Sequence, residues 1–418
     1  MESAISNVDL SRYKRLVQMF WDPEPVNDKH PNQPVWCLGR MYTFSTAEKS
    51  EQQLEVVSNA EGSSSQPAYD DSVATECRWP LGFLEDFEAR IWMTYRSNFE
   101  TIPRSASSMS SPSLSLTMRI RNQLSEQNGF TSDTGWGCMI RSGQSLLANT
   151  MAFLDLGRDW RRGMQSDGER RIIAQFADDS QAPYSIHNFV KFGASCCGKH
   201  PGEWFGPSAT ARCIQELVNS RQQQSLRVYS TGDTPDVYED NFMKIAMPQG
   251  QPFHPTLILV GTRLGIDRIT PVYWEALIAS VQMTQSVGIA GGRPSSSHYF
   301  VGSQGHFLFY LDPHHTRKAL PYYSDIGQYS EDEIETCHTS RLRRVHVKEM
   351  DPSMLIGYLI KNEADWHEWK TCVKQVQGKP IVHVADFDPV NEARNPTGRS
   401  AIDEVELLSD DEDSSPAK

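Results

Sequence analysis

The sequence has little of what marks secreted or membrane proteins. Eight cysteines are spread irregularly over 418 residues, so a disulfide framework is not indicated. No uninterrupted apolar segment approaches the roughly 20 residues of a membrane-spanning helix, and residues 1–9 lack the apolar core of a signal peptide. Basic residues number 40 against 53 acidic ones, and the net charge of −13 argues against general binding of nucleic acids or anionic membranes. The composition indicates a soluble intracellular protein, long enough for two or three domains.

The most distinctive segment is Asp133–Ile140, which places Cys138 directly after two glycines and a tryptophan. Apolar residues from Met139 to Leu154 recur at mainly helical spacing, so the pattern predicts a helix that begins at Cys138. The unpaired N–H groups and the dipole of a helix N-terminus favour a thiolate over a thiol. Cys138 is therefore a candidate nucleophile, although a buried, inert cysteine that opens a core helix fits the same segment.

A second distinctive segment, His298–Leu311, is typical of a hairpin of buried strands and ends in Asp312-Pro313-His314. Residues two apart in an extended chain project from the same face, so Asp312 and His314 can converge on one partner. A cysteine nucleophile needs such an imidazole and a polar group to orient it. An ordinary surface turn is the alternative. His298 is a rival base that we interpret as structural, and His315 should point the other way.

Further blocks of sequence accompany these two segments. The longer motifs are TSDTGWGCM at residues 131–139 and YLDPH at residues 310–314. Shorter blocks lie at residues 34–39, 94–99, 204–207 and 291–294. Together they resemble the autophagin family in its fungal form: cysteine proteases that process the ubiquitin-like modifier of autophagy. The resemblance extends from about Tyr13 to Phe387, which is most of the chain.

The resemblance implies an α/β (α+β) architecture, namely a papain-like cysteine protease fold with a small extra subdomain. It implies a catalytic triad in which Cys138 is the nucleophile, His314 its base and Asp312 the residue that holds the imidazole. No cofactor and no metal are expected.

Three further residues receive roles only through the resemblance. The hydroxyl of Tyr95 would donate to the oxyanion, beside the backbone N–H of Cys138. From the residues alone, a core tyrosine packed near Trp92 and Phe99 is favoured. Trp204 and Pro294 would clamp over a narrow slot that accepts glycine and excludes larger side chains.

The implied function is cleavage after a C-terminal glycine of the ubiquitin-like autophagy modifier. Cleavage would both mature the modifier's precursor and release the modifier from phosphatidylethanolamine. The implied partners are these two forms of the modifier, with transient contact to autophagic membranes through the substrate and no nucleic acid. The implied locations are the cytoplasm, the nucleus and the preautophagosomal structure. Two alternatives stay open: a catalytically silent module that only holds the modifier, and a protease of ubiquitin itself.

Composition along the chain predicts four regions. Residues 1–44 form an N-terminal segment that packs on the core, and residues 45–76, rich in Ser, Glu and Gln, form a disordered insert. Residues 77–387 form the papain-like catalytic domain, which carries a flexible serine-rich insert at 104–117. Residues 388–418 form a disordered acidic tail. Within the catalytic domain we expect an N-capped helix at Ser208–Asn219.

The remaining cysteines suggest two weaker hypotheses. Cys196, Cys197 and His200 lie close together in sequence, but a structural zinc site needs four ligands and no second pair is nearby. Zinc is therefore disfavoured. Cys337 and Cys372 could form a regulatory disulfide if the fold brings them together.

Both ends of the chain carry short segments suited to partner binding. Residues 403–413 place a small apolar core among acids, which is typical of a segment that adds a strand to a partner's sheet. The family's modifier-binding motif has an aromatic residue where this tail has Val405, so a motif for a small ubiquitin-like modifier is a rival. A solvated acidic run is the third interpretation. At the other end, Tyr13–Leu16 has the motif's spacing but basic spacers.

Overall fold

The structure, a computed structural model, describes residues 24–27, 33–44, 79–104, 129–221, 225–292 and 296–389. Its α-helices are α1 (Leu81–Glu88), α2 (Cys138–Asp155), α3 (Ser166–Ala174), α4 (Ile186–Cys196), α5 (Pro207–Asn219), α6 (Glu239–Ala246), α7 (Trp274–Gln282), α8 (Glu331–Glu335) and α9 (Glu363–Gln375). Its strands are β1 (Val35–Cys37), β2 (Arg40–Tyr42), β3 (Arg96–Ile102), β4 (Phe130–Ser132), β5 (Arg227–Ser230), β6 (Asp236–Tyr238), β7 (Thr256–Arg263), β8 (Ser286–Gly291), β9 (His298–Gln304), β10 (Phe307–Leu311), β11 (Arg317–Lys318), β12 (Arg344–His346), β13 (Ser353–Ile360) and β14 (His383–Ala385).

A twisted mixed sheet forms the centre of the molecule, with the order β12-β10-β9-β8-β13-β7-β5 and with β1 and β2 joined to it through β9. All of its pairings are antiparallel except that of β5 with β7. The central strands β7, β8 and β13 are runs of apolar and small residues, and they are buried almost throughout. Such runs require cover on both faces of the sheet, which the helices provide.

Helix α2 packs against β8 and β9 on one face of this sheet. Every residue from Cys138 to Ala152 is buried, including the polar ones. Gly357 of β13 lets the helix approach closely, because a Cβ at that position would lie 3.1 Å from the Leu146 side chain. The other face is covered by α6, α7 and α9, where Phe242 stacks on Trp366 with ring centroids 4.1 Å apart. The first residue of α2 is thus held at the edge of a closely packed core.

A small second sheet, with β3 between β11 and β4, fixes the neighbourhood of that edge. Just before β3, the Tyr95 N–H donates to the Pro313 carbonyl over 2.8 Å, and the Arg317 N–H donates to the Tyr95 carbonyl over 2.9 Å. The Asp133 N–H donates to the Arg96 carbonyl over 3.2 Å. These bonds bring three distant parts of the chain together: the start of β3, the turn before α2 and the end of β10.

The fold confirms the predicted architecture and corrects one boundary. The mixed α/β arrangement and the helix that begins at Cys138 are as expected. The helix expected at Ser208–Asn219 begins one residue earlier, with Pro207 in its first turn and Gly206 as its N-cap. The predicted N-cap is therefore not formed by a side chain: Gly206 is the N-cap, and Pro207 is pre-organised for the first helical turn.

Several predicted segments lie outside the described residues: most of 1–44, all of 45–76, the insert 105–117 and the tail from residue 390. Of the N-terminal segment, residues 24–27 do contact the core. The Pro25 carbonyl accepts a 2.9 Å hydrogen bond from Trp79 Nε1, and Gln304 Nε2 donates to Asn27 Oδ1 over 3.0 Å. Across the part of the chain that the structure describes, no helix combines the length and apolar character needed to cross a membrane.

Candidate active site

The turn Asp133–Gly137 determines how Cys138 enters α2. The Asp133 carbonyl accepts the N–H groups of Trp136 (3.1 Å) and Gly137 (2.9 Å). Gly135 has φ +91°, a conformation that favours glycine. A Cβ on Gly137 would lie 2.4 Å from Asp133 Oδ2, so the N-cap position must also be glycine. Gly137 provides no side-chain cap. The first N–H groups of α2 therefore have no side-chain cap, and the positive end of the helix dipole lies at Cys138.

A buried ion-pair network holds this turn in place. Asp133 accepts hydrogen bonds from the Arg96 N–H (2.6 Å) and from Arg141 Nε (2.7 Å). Arg141 also pairs with Asp178 over 2.8 Å, and Asp178 in turn accepts the Leu320 N–H over 2.8 Å. All three charged side chains are almost inaccessible to solvent. The sequence analysis missed this network. The one signal was an arginine inside an apolar helix, which must have a buried partner.

The predicted Asp312–His314 pair is present at the end of β10. His314 Nδ1 lies 2.6 Å from Asp312 Oδ1, which also accepts the His314 backbone N–H over 3.1 Å. The Asp312 carbonyl accepts a 2.9 Å bond from Trp92 Nε1. His298 is a second neighbour of this carboxylate, because its Nε2 lies 3.9 Å from Asp312 Oδ1. The bond to Asp312 leaves Nε2 of His314 for a second partner.

Within the described residues the buried Nε2 of His314 makes no hydrogen bond, and Cys138 is the group to which His314 is electrostatically coupled besides Asp312. Burial alone would raise the pKa of Cys138, but the neighbouring His314 side chain, the Ser297 N–H and the Tyr95 hydroxyl lower it below its usual range. Burial works against protonation of His314, yet its bond to Asp312 and its coupling to Cys138 raise its pKa to about 10. Burial also opposes ionisation of Asp312, but the His314 hydrogen bond and the charge of His298 hold its pKa well below the usual range. The arrangement therefore favours a thiolate–imidazolium pair, supported by a carboxylate, over a neutral thiol and imidazole.

Tyr95 lies beside this pair. Its ring meets the His314 imidazole edge-on, with centroids 5.4 Å apart. Its buried hydroxyl has no hydrogen-bond partner within the described residues and is electrostatically coupled to Cys138. Burial and the negative charge on Cys138 raise the pKa of Tyr95 well above its usual value, so the phenol keeps its proton. The side chain is buried, as expected for a core tyrosine, but it is also a neighbour of Cys138. A neutral hydroxyl at this position is a hydrogen-bond donor.

Ser297 is a site residue that the sequence analysis missed. Its backbone N–H interacts with the Cys138 sulfur, and its hydroxyl donates to Ser142 Oγ over 3.1 Å and contacts Met139 Sδ at 3.2 Å. It is completely buried. Ser297 thus ties the chain that follows residues 293–295 to the first turn of α2.

Of the two predicted clamp residues, Trp204 and Pro294, only Trp204 lies within the described residues. Pro294 lies outside the described residues. Trp204 lies two residues before the N-cap of α5 and packs, partly buried, against the larger hydrophobic cluster. Its indole nitrogen is buried and, within the described residues, has no hydrogen-bond partner. Trp204 takes no part in the hydrogen bonds that join His314 to Asp312.

The structure supports neither of the two weaker cysteine hypotheses, the zinc site and the regulatory disulfide. Among the described residues, the only group of three side chains with potential metal-ligand atoms within 4.8 Å of one another is His298, Asp312 and His314, so Cys196, Cys197 and His200 do not converge. The proposed disulfide between Cys337 and Cys372 is absent, and both thiols are free. Cys337 belongs to the larger hydrophobic cluster, whereas Cys372 packs against the cluster on the opposite face of the central sheet.

Comparison with known proteins decides the family. The model of the peptidase C54 catalytic domain matches residues 80–372, which include Tyr95, Cys138, Trp204, Asp312 and His314. The chain belongs to the peptidase C54 family. It is therefore a cysteine-type peptidase with a papain-like fold, as the sequence analysis predicted.

Relatives of this C54 peptidase match over almost their whole length. It is 56% identical to "Cysteine protease ATG4" of Gibberella zeae, over 99% of this chain and 98% of the relative. It is 56% identical to "Probable cysteine protease atg4" of Sclerotinia sclerotiorum, over 98% of this chain and 99% of the relative. It is 57% identical to "Probable cysteine protease ATG4" of Cryphonectria parasitica, over 96% and 95% of the two chains. These relatives are fungal and are named as autophagy-related proteases, in agreement with the predicted resemblance.

Proposed function

We propose that Cys138, His314 and Asp312 are the catalytic triad of this C54 peptidase. The observation that supports this most strongly is the 2.6 Å bond between Asp312 Oδ1 and His314 Nδ1, together with the electrostatic coupling of His314 to Cys138. The Cys138 thiolate attacks the substrate carbonyl, and His314 then gives its proton to the leaving amine. Water hydrolyses the thioester, with His314 now acting as base. Asp312 holds the ring throughout.

The oxyanion of the tetrahedral intermediate would receive two hydrogen bonds. One comes from the backbone N–H of Cys138, which lies in the uncapped first turn of α2. The other comes from the Tyr95 hydroxyl, which stays protonated because of its burial and its charged neighbour. Donors that are fixed before the reaction stabilise the developing charge without reorganisation, so they lower the barrier more than mobile donors would.

The substrate we propose is the ubiquitin-like autophagy modifier, cleaved after a C-terminal glycine. Cys138 is completely buried, so only a slender, extended peptide can reach it after a local opening. A glycine before the scissile bond meets that requirement because it has no side chain. We assign Trp204 and Pro294 to the walls of this slot. The buried, unpaired indole N–H of Trp204 is a donor available to a substrate carbonyl.

We also propose that the same site releases the modifier from phosphatidylethanolamine. In the precursor the scissile bond is a peptide bond, and in the lipid conjugate it is an amide to the ethanolamine headgroup. Both leave as amines, so both need the proton of His314 and no other group. Precursor maturation and delipidation are thus one reaction with two leaving groups.

The alternatives of a silent binding module and of a ubiquitin protease make different predictions. A module that only holds the modifier has no need of a paired thiolate and imidazolium, so the electrostatics favour an enzyme. To test the substrate, the protein is incubated with a modifier precursor and, separately, with a ubiquitin precursor, and the products are weighed by mass spectrometry. We expect cleavage directly after glycine in the modifier alone. Cleavage of ubiquitin, or of neither, would overturn the proposal.

A further inference from the structure

The one group of potential metal ligands among the described residues includes a histidine that the mechanism above does not use. One ligand atom each of His298, Asp312 and His314 lies within 4.8 Å of the other two. Asp312 and His314 belong to the proposed triad, whereas His298 has no step assigned to it. Two imidazoles and one carboxylate are a donor set found in zinc sites that have three protein ligands and one open position.

Strand pairing brings His298 to the carboxylate. β9 and β10 are antiparallel with Tyr299 opposite Leu311, so His298 and Asp312, one position further along, also lie opposite each other. His298 Nε2 is 3.9 Å from Asp312 Oδ1. His314 approaches the same oxygen from the turn that follows β10, with its Nδ1 at 2.6 Å. Two imidazoles from different strands therefore meet at one carboxylate oxygen.

The spacing of these atoms suits a tetrahedral ion after small side-chain rotations. Zinc bonds of about 2.0–2.2 Å keep tetrahedral ligand atoms roughly 3.3 Å apart. The distances of 2.6 Å and 3.9 Å to Asp312 Oδ1 lie on either side of that value, so each has to change by less than about 1 Å. Solvent reaches both imidazoles, because the side chains of His298 and His314 are 23% and 15% exposed. An ion can therefore enter without unfolding the surrounding core.

We propose that His298, Asp312 and His314 form an inhibitory zinc site. In this site Zn²⁺ replaces the proton between His314 Nδ1 and Asp312 Oδ1 and takes His298 Nε2 as its third protein ligand. The displaced proton goes to solvent, and water takes the fourth position. The exchange adds one positive charge on balance. Arg343, whose Nε lies 4.0 Å from Asp312 Oδ2, opposes this added charge, so tight binding needs all three ligands.

The donor set separates zinc from other ions, and His298 separates this site from a rival one. Imidazole nitrogen favours zinc, copper and nickel, whereas Mg²⁺ and Ca²⁺ prefer oxygen ligands. The rival site would join the Cys138 thiolate to Nε2 of His314, because a thiolate is a strong zinc ligand. That arrangement has no place for His298 or for the Nδ1 atom that binds Asp312. His298 is therefore the residue whose replacement distinguishes the two sites.

Zinc at this position would stop the reaction through His314. A metal on Nδ1 makes the imidazole much less basic at Nε2, so His314 neither draws the proton from the Cys138 thiol nor carries it to the leaving amine. The ion also replaces the hydrogen bond by which Asp312 holds the ring. This consequence rests on the triad proposed above, but the binding of the metal does not.

Binding is measured by calorimetry, with zinc chloride titrated into the full-length Cys138→Ala protein. We expect one tightly bound zinc per chain. His298→Phe keeps a ring against Tyr310, whose centroid lies 4.6 Å from that of His298, but offers no ligand nitrogen. It should weaken binding at least tenfold, and so should His298→Ala. His315→Ala, the matched control beside His314, should bind zinc as the parent does. Unchanged affinity in both His298 variants would overturn the site and leave adventitious binding by surface histidines only.

Cobalt(II), a spectroscopic probe for zinc sites, tests the rival that involves Cys138. In the protein with an intact Cys138 we expect the visible bands of tetrahedral cobalt without a thiolate-to-metal charge-transfer band in the near ultraviolet. The bands should be lost in His298→Phe. A charge-transfer band that persists in His298→Phe would assign the metal to Cys138 and contradict the proposal.

The inhibitory effect is tested by cleavage of a modifier precursor at increasing zinc, with each variant compared with its own metal-free rate. Half-inhibition of His298→Ala should require at least tenfold more zinc than that of the wild type or of His315→Ala, and a chelator should restore activity. Mg²⁺ should not inhibit. Zinc that binds through His298 without slowing cleavage would refute the inhibitory role. If the metal-free protein cleaves no precursor, the substrate proposal fails while the calorimetry still decides the zinc site.

Discussion

Two buried clusters in this molecule each contain a cysteine thiol, a carboxylate and a cationic side chain, but in a different order. In the first, Cys37 and Asp86 share a pocket with Arg90, Arg158 and Arg161. The arginines bind the carboxylate, at 2.6 Å in the case of Arg158, so the thiol faces a negative charge. In the second cluster Cys138 is next to the cationic imidazole of His314, and the Asp312 carboxylate binds the other ring nitrogen of that imidazole.

This difference in order shifts the pKa values of the two thiols in opposite directions. Both are completely buried. Burial and Asp86 raise the pKa of Cys37 far above its usual value, whereas His314 outweighs burial and lowers the pKa of Cys138. Burial alone therefore does not decide whether a thiol is reactive. The charged groups around the thiol contribute as well, and they act in opposite directions at the two sites.

The largest contrast is expected when each thiol is removed. Cys138→Ala should lower the turnover rate by about 10⁴-fold or more, as loss of a covalent nucleophile does, with substrate binding largely intact. Cys37→Ala should leave turnover within a few-fold. Both rates are measured with a modifier precursor. If Cys138→Ala still cleaved above a few per cent of the wild-type rate, another thiol would be the nucleophile.

The groups behind the Cys138 thiol should be almost as important for turnover. His314→Ala should be nearly as damaging as loss of Cys138, and Asp312→Asn should cost about 10³- to 10⁴-fold through the wrong tautomer of the imidazole. His298 lies near the same carboxylate but not between it and the thiol, so His298→Ala should retain substantial activity. The comparison is made by kcat/KM. A reversed ranking of the two histidines would contradict the assignment.

Removal of the other carboxylate should change stability instead of turnover. Asp86→Asn leaves buried arginines without a counter-charge, so unfolding in urea should become easier by about 3–5 kcal/mol. The folded fraction should keep its kcat, unlike Asp312→Asn. Burial opposes ionisation of Asp86, but its arginines hold its pKa below the usual range. Its contribution to stability is therefore present above the pKa of the unfolded chain and is lost as the pH falls through the folded value. A variant that lost kcat but not stability would contradict the comparison.

The smallest effect is expected at the acidic tail. Removal of residues 404–418 should weaken capture of the modifier a few-fold and leave the turnover of saturating substrate unchanged, because tethering raises local concentration without touching the chemistry. Calorimetry at physiological salt measures the change in affinity. Unchanged affinity would assign the tail to solubility alone.

Whether a feature could be predicted from the sequence depends on how far apart in the chain the interacting residues lie. The helix at Cys138 and the convergence of Asp312 with His314 depend on residues a few positions apart, and periodicity alone predicts them. The link from Asp133 through Arg141 to Asp178 joins three separate segments, so no local pattern contains it. The contacts of Ser297 with α2 span more than 150 residues. The roles of Tyr95, Trp204 and Pro294 came from family resemblance alone and remain proposals.

The most direct test of the ordered triad is the pH dependence of alkylation of Cys138 by iodoacetamide. Mass spectrometry of the labelled peptides follows Cys138 and Cys37 in the same sample, in the wild type and in His314→Ala. Because His314 keeps Cys138 ionised, its labelling rate should stay nearly constant from pH 8 to below neutral pH, and Cys37 should not react. In His314→Ala the rate should fall about tenfold per pH unit, as for an ordinary thiol of pKa about 8.5. The same steep fall in the wild type would contradict the thiolate–imidazolium pair.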